Sequence, residues 1–168
     1  FSNILITVDS PSCNSGTYLV GDSALNSSFT VINMQVGFDN KHEQDLPIIN
    51  TLGNIAAYAA NQYYEENKEL PNEMDLTISM TTSLPINEYF ANVENREIFK
   101  ERFEKDIHRV TLHVGDKRVR FNIKFDFVKV LPEAMTALFS IIEDMNGKKR
   151  KSDFFKEFNE TYNKEIDG

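Results

Sequence analysis

Few side chains in this sequence are spaced to do chemistry. His42, His108 and His113 share no metal-ligand spacing with the single cysteine, Cys13, or with paired carboxylates. His108 and His113 fall in a hairpin pattern, which places them at the surface. Ser10 and Ser83 lack the glycine-flanked elbow that exposes a nucleophilic serine. There is no GxxxxGKS/T and no GxGxxG, and the 7 glycines do not cluster. No loop in these residues is therefore built to wrap a phosphate in backbone N–H groups. Glu65-Glu66 and the carboxylates of residues 94–106 read as solvated helix faces. Glu133 stands apart, because it follows Pro132 at the head of an expected helix. A proline suits the first turn, and an anion beside it complements the positive end of the helix dipole.

The elements that would position these residues follow from hydrophobic period. Residues 3–9 (NILITVD) and 17–20 (TYLV) are β-prone and flank the turn formers Pro11–Gly16, which predicts two paired strands. Residues 28–36 predict a further strand, and 37–44 a loop. Ile48, Ile49, Leu52, Ile55, Ala56, Ala59, Ala60 and Tyr63 recur at helical spacing, so a helix is expected from a capping Asp45 to about Asn67. Leu76, Ile78 and Met80 share one face of a strand over 75–81, broken at Ser83-Leu84-Pro85. A second helix over 94–105 turns Ile98, Phe99, Arg102 and Phe103 inward. Val110, Leu112 and Val114 alternate, Gly115-Asp116 makes a turn, and Val119 to Phe127 alternate again. The apolar parity then moves to Val128 and Val130, which predicts a bulge. A third helix begins at Pro132, and a last one spans 152–166. Phe125, Phe127, Phe139 and Phe154 read as core aromatics and not as a ligand box. The order β-β-(β)-α-β-α-β-β-α-α predicts an α/β fold with helices packed on one sheet.

Composition narrows the functional class. With 40% apolar and 26% charged residues, the 168-residue chain belongs with globular domains that can bury a core. Its net charge of −8 is the wrong sign for a nucleic-acid footprint. The one basic run, Lys148-Lys149-Arg150-Lys151, reads as a solvated loop. One cysteine excludes a disulfide framework and fits a reducing compartment. No apolar run approaches the roughly 20 residues of a membrane span. The chain begins at Phe1, and the expectation is that it starts inside a longer protein.

Four segments, in order, resemble the actin and ParM-like superfamily. Residues 18–24 (YLVGDSA) resemble its vGxxA stretch after an early strand pair. Residues 76–85 (LTISMTTSLP) are similar to its vvtGLP segment, with Ser83 where glycine often stands. Asn95-Arg96-Glu97 resembles the NRE at the head of an actin helix. Residues 128–134 (VKVLPEA) resemble the strand-to-helix junction of plasmid-segregation actins.

That resemblance implies a ribonuclease H-like fold of the actin-like ATPase type, with a mixed sheet, flanking helices and a small outer β-rich subdomain. Residues 1–36 would be outer strands, 37–145 the core of the first lobe, and 146–168 a helical link to a second lobe. It further implies ATP and Mg2+ for the full-length protein, self-association into filaments, DNA engaged only through an adaptor protein, no membrane, and a cytoplasmic location. In filament-forming relatives the outer strands touch the next subunit, which would put the loop Ser10–Ser15 at a contact. The family's two phosphate loops have no counterpart here; they are expected before Phe1 and after Gly168. The resemblance therefore implies that this piece alone does not hydrolyse ATP. Only Glu133 matches a catalytic position, one where the superfamily uses glutamine or glutamate to orient the attacking water. The alternative is a non-hydrolysing actin-fold adaptor for cell division or pilus-type assembly.

Overall fold

The computed structural model describes residues 3–28, 30–32, 40–133 and 135, and the chain divides into two units, Phe1–Leu131 and Pro132–Gly168. The helix expected over 152–166, the body of the third helix, the basic run, Phe139 and Phe154 lie outside the described residues. So does most of the strand expected over 28–36; residues 30–32 are irregular.

Within the first unit, β1 (Asn3–Asp9) and β2 (Gly16–Gly21) form the expected hairpin, with Ile6 opposite Tyr18. A single helical turn, α1 (Asp22–Leu25), follows. Then come α2 (Asp45–Asn67), β3 (Glu73–Leu84), α3 (Ile86–Ala91), α4 (Val93–Glu104), β4 (His108–Val114) and β5 (Lys117–Pro132). The strands make one five-stranded sheet in the order β2-β1-β4-β5-β3. β1 pairs antiparallel with β4, and β4 with β5.

The β5–β3 pair runs the other way. Asn122 Nδ2 donates to Asp75 Oδ1 and Ser79 Oγ donates to Asp126 Oδ1, and both pairs are separated by 47 positions. A constant offset is the mark of strands running in the same direction, so the sheet is mixed.

One sheet face is covered. Ile4, Ile6, Val8, Val110, Leu112, Val119, Phe121, Ile123 and Phe125 point into it and are buried. α2 lays Ile48, Ile49, Leu52, Ala56 and Ala60 on this surface. Its small residues bring the backbone close: a Cβ added at Gly53 would sit 2.9 Å from Ile6 Cδ1. α4 adds Phe99 and Phe103, and Phe103 meets Phe125 edge-on at 5.3 Å between centroids. Each fully buried aromatic of this kind contributes about 1.5–3 kcal/mol through removal from water.

Several expectations are corrected at the element ends. β3 continues past Ser83 and stops only before Pro85, and Pro132 closes β5 where a helix start was expected. Gln44, not Asp45, occupies the N-cap of α2, and Asp45 is turned to partners outside the helix. Ile98 is 43% exposed, since it sits beside the buried stripe of α4 rather than on it. Val114 is 42% exposed at the hairpin tip. Phe127 is 54% exposed: the parity shift falls at Asp126 and Phe127, which both face out, and Val128 returns inward. The strand kinks there, and the Val128 N–H is taken by Glu104 Oε1 of α4 at 2.8 Å.

Candidate functional site

β3 and β5 run in the same direction, β3 ending at Leu84 and β5 at Pro132. The two strands therefore finish at one edge of the sheet. Ligands of α/β sheets gather outside the carboxyl ends of parallel strands, because loops and helix starts present unpaired backbone groups there. At this edge the chain turns into α3 after Pro85. In the second unit, Glu133 stands in a turn next to Pro132 in the sequence. Glu133 is half-buried. It is the one residue singled out for catalysis in the sequence that follows this edge.

The other polar clusters hold elements together. Arg102, on α4 and only 15% exposed, fastens three segments. Its Nε and Nη2 donate to the Ser12 carbonyl in the β1–β2 loop at 3.2 and 2.7 Å. Its Nη1 donates to the carbonyls of His42 and Gln44 at 3.0 and 2.6 Å. Its Nη2 also meets Asp45 Oδ1 at 2.6 Å, while Asp45 Oδ2 accepts from the Asn14 backbone and side chain. The planar guanidinium, with five donors in a fixed fork, matches this set of carbonyls as an ammonium would not.

His108, expected at the surface, is fully buried. Its Nε2 lies 2.7 Å from the Phe103 carbonyl, which only accepts, so Nε2 carries the proton. Nδ1 then accepts from Ser10 Oγ at 2.8 Å, and Ser10 Oγ in turn accepts from the Ser12 N–H. Burial pushes the imidazole below its usual range despite the Phe103 carbonyl, which keeps it neutral. With both nitrogens committed inside the core, the Ser10–His108 pair is a latch for the loop rather than a nucleophile and base.

His42 and Glu88 form a second buried pair. Glu88 Oε2 accepts from His42 Nδ1 at 2.9 Å, and its Oε1 accepts from the Lys41 N–H at 2.9 Å. Burial works to raise the Glu88 carboxyl, but these bonds and that of the His42 N–H outweigh it and hold the group below its ordinary value. His113 is half-buried and shares a 2.8 Å bond with Thr7 Oγ1. Cys13 is half-buried against the core, and desolvation raises its thiol, which makes it a poor nucleophile. Among the described residues no group of three His, Cys, Asp or Glu side chains converges as a metal site. Among them, too, no helix is long and apolar enough to cross a membrane.

None of the Arg102, His108 or His42–Glu88 arrangements was found from sequence. Their partners are backbone carbonyls or residues about 46 to 98 positions away, which leave no local pattern. The exposed Phe127 borders a groove of about 470 Å³ with Tyr89, Val93, Arg96 and Lys100, where the Arg96 guanidinium lies 4.4 Å from the Tyr89 ring centre.

The geometry has close counterparts. The family model described as the actin-like proteins N-terminal domain matches residues 3–135. The crystal structure of the actin-like protein Alp7A superposes with a TM-score of 0.62 at 18% identity, covering 88% of this chain and 35% of that one. Bacillus thuringiensis ParM in its apo form gives a TM-score of 0.47 at 15% identity, with the same coverage of 88% and 35%. The chain thus spans about a third of the length of both. No curated protein matches it. The mixed five-stranded sheet with its covering helices matches the actin-like fold, and the chain belongs to the actin-like proteins through their N-terminal domain.

Proposed function

We propose that this chain is the first lobe of an actin-like ATPase that assembles into nucleotide-dependent filaments and segregates plasmid or phage DNA in the cytoplasm, with DNA engaged through an adaptor. In that reading residues 1–36 are the outer strands, 37–145 the core of the lobe, and 146–168 the link to the second lobe. The observation that carries it is the match of residues 3–135 to the N-terminal domain of the actin-like proteins, with β3 and β5 running in the same direction in its mixed sheet.

ATP with Mg2+ would supply the phosphoryl group and its charge neutralisation. The described residues fit one corner of such a site and not its cradle. Gly16 and Gly21 stand at opposite ends of β2, Gly53 in α2 and Gly115 in the β4–β5 turn, so among the described residues no run of glycine N–H groups surrounds a phosphate and no acidic set surrounds a cation. What this chain contributes is Glu133, a carboxylate that can accept a hydrogen bond from water and fix its direction. Positioning of this kind is most of what phosphoryl transfer asks of a protein.

The test uses the whole protein. Wild type is expected to hydrolyse ATP and to pellet with ATP. Glu133→Ala is expected to lose about 100-fold or more in turnover while still binding ATP, whereas Glu133→Gln keeps an acceptor oxygen and is expected to retain most of it. Unchanged turnover in Glu133→Ala removes the residue from the mechanism. A wild-type protein that binds ATP without turnover is the adaptor alternative, and one that neither hydrolyses nor pellets overturns the proposal.

A further inference from the structure

His108 is fully buried, yet its cover on one side is thin. Ser10, the first residue of the β1–β2 loop, closes the Nδ1 side of the ring. Beyond it Pro11, Asn14 and Ser15 are exposed, and Ser12 and Cys13 are half-buried. Residues 10–15 belong to no strand, so releasing them breaks no sheet ladder.

The elements packed around the ring supply no countercharge. The Ser10 hydroxyl comes from the end of β1 and the Phe103 carbonyl from α4, and both partners are neutral. The Phe125 ring of β5 lies edge-on at 5.5 Å between centroids. Asp106, in the turn before β4, acts on the imidazole only through space. Asp9 and Arg109, the sequence neighbours of Ser10 and His108, are exposed and lie 3.9 Å from each other.

The closed loop therefore requires an uncharged ring. Nε2 spends its proton on the Phe103 carbonyl, and Nδ1 accepts the Ser10 hydroxyl proton. A second proton, at Nδ1, meets that hydroxyl head-on, and Ser10 Oγ already accepts from the Ser12 N–H at 3.1 Å. It also leaves a cation in an apolar surround with no carboxylate bonded to it, which is costly. Opening the loop brings water to the ring instead. Opening also solvates Ser12 Oγ, which is buried without a hydrogen-bond partner while the loop is closed.

We propose that the tip of the first hairpin is an acid-released latch: a proton on His108 expels Ser10, and the loop Ser10–Ser15 swings off the core and uncovers Cys13 while the sheet stays folded. This goes beyond the ATPase reading and needs neither nucleotide nor a second copy of the chain. In the open state the ring titrates at its ordinary 6.5, and in the closed state burial holds it lower, so the open population grows as pH falls through that interval.

Cys13 is the only cysteine in the sequence, so its accessibility reports the position of the loop. The test is the rate at which 4,4′-dithiodipyridine labels it in the 168-residue chain, divided into the rate for a free peptide of residues 10–15 at the same pH. This protection is expected to fall about tenfold or more from pH 7 to pH 5, with unchanged circular dichroism and little response to urea below about 1 M. In His108→Gln, which keeps Arg102 and Asp45 on the loop, protection is expected to be flat over this range. Ser10→Ala is expected to lower protection about tenfold at pH 7. Protection that is constant in wild type, or that is lost only as the whole chain unfolds in acid or urea, overturns the latch. A pH dependence that survives in His108→Gln assigns the release to a carboxylate such as Asp45 and overturns it too. So does Ser10→Ala with wild-type protection, an arm that stands even where His108→Gln fails to fold.

Discussion

Replacing Arg102 gives the sharpest reading of what holds the domain together. Its guanidinium makes five polar contacts, to the carbonyls of Ser12, His42 and Gln44 and to Asp45, at 15% exposure. Arg102→Ala leaves three carbonyls without this donor and takes the countercharge from Asp45. Losing one partner of a buried charged pair costs about 3–5 kcal/mol. Asp45 is 29% exposed and keeps both Asn14 donors, so the lower end applies, about 3 kcal/mol. Arg102→Lys keeps the charge but not the fork, and about half that loss is expected. In urea, with a slope near 2 kcal/mol per molar, the alanine variant should unfold about 1.5 M earlier with the slope unchanged. An alanine midpoint within about 0.3 M of wild type would mean that the contacts carry no net stability, and a lysine variant equal to wild type would mean that the fork geometry is irrelevant.

Two further outcomes follow from the core. His108 folds neutral, with its ionisation pushed below the ordinary 6.5 by burial, so its stabilisation is present above that pH and is lost as pH falls. Stability should drop by about 1.4 kcal/mol for each pH unit under it until the folded group itself protonates. His108→Gln should flatten that part of the urea-midpoint profile, and an unchanged slope would contradict the assignment. At Gly53, alanine gains up to about 1 kcal/mol of helix propensity. It must also move the Ile6 tip that a Cβ would meet at 2.9 Å, so the net change should be small. Gly53→Val adds branches with nowhere to go and should cost about 2 kcal/mol or more in thermal or urea unfolding.

The sequence spoke clearly where structure is local. The α2 pattern placed a helix at Asp45–Asn67, because eight apolar positions at one period admit one answer. The parity change after Phe127 announced a kink in β5, which the structure sets at Asp126 and Phe127, since a strand can switch faces only by inserting a residue. Side-chain fates set by distant neighbours were illegible. Nothing near His108 signals that Ser10 will cap its ring, and nothing near Phe127 says that the kink will turn it outward. α3 was missed because Ile86–Ala91 is too short to show a period, and its anchor is Glu88 reaching back to His42. At the candidate site the order was reversed. Glu133 was visible through family resemblance, whereas the strand edge that leads to it became visible only once β3 and β5 were seen to run together.

The two fastenings of α4 have a mechanical consequence. Arg102 clamps the tip of the first hairpin and the start of α2, and Glu104, two residues on, grips the backbone of β5 at its kink. A load applied to the hairpin tip therefore has a short, stiff route along less than one helical turn to the strand that runs on into Glu133. α4 works as a crossbar in this respect, and slackening either bolt should decouple the first hairpin from the kink of β5 without unfolding either.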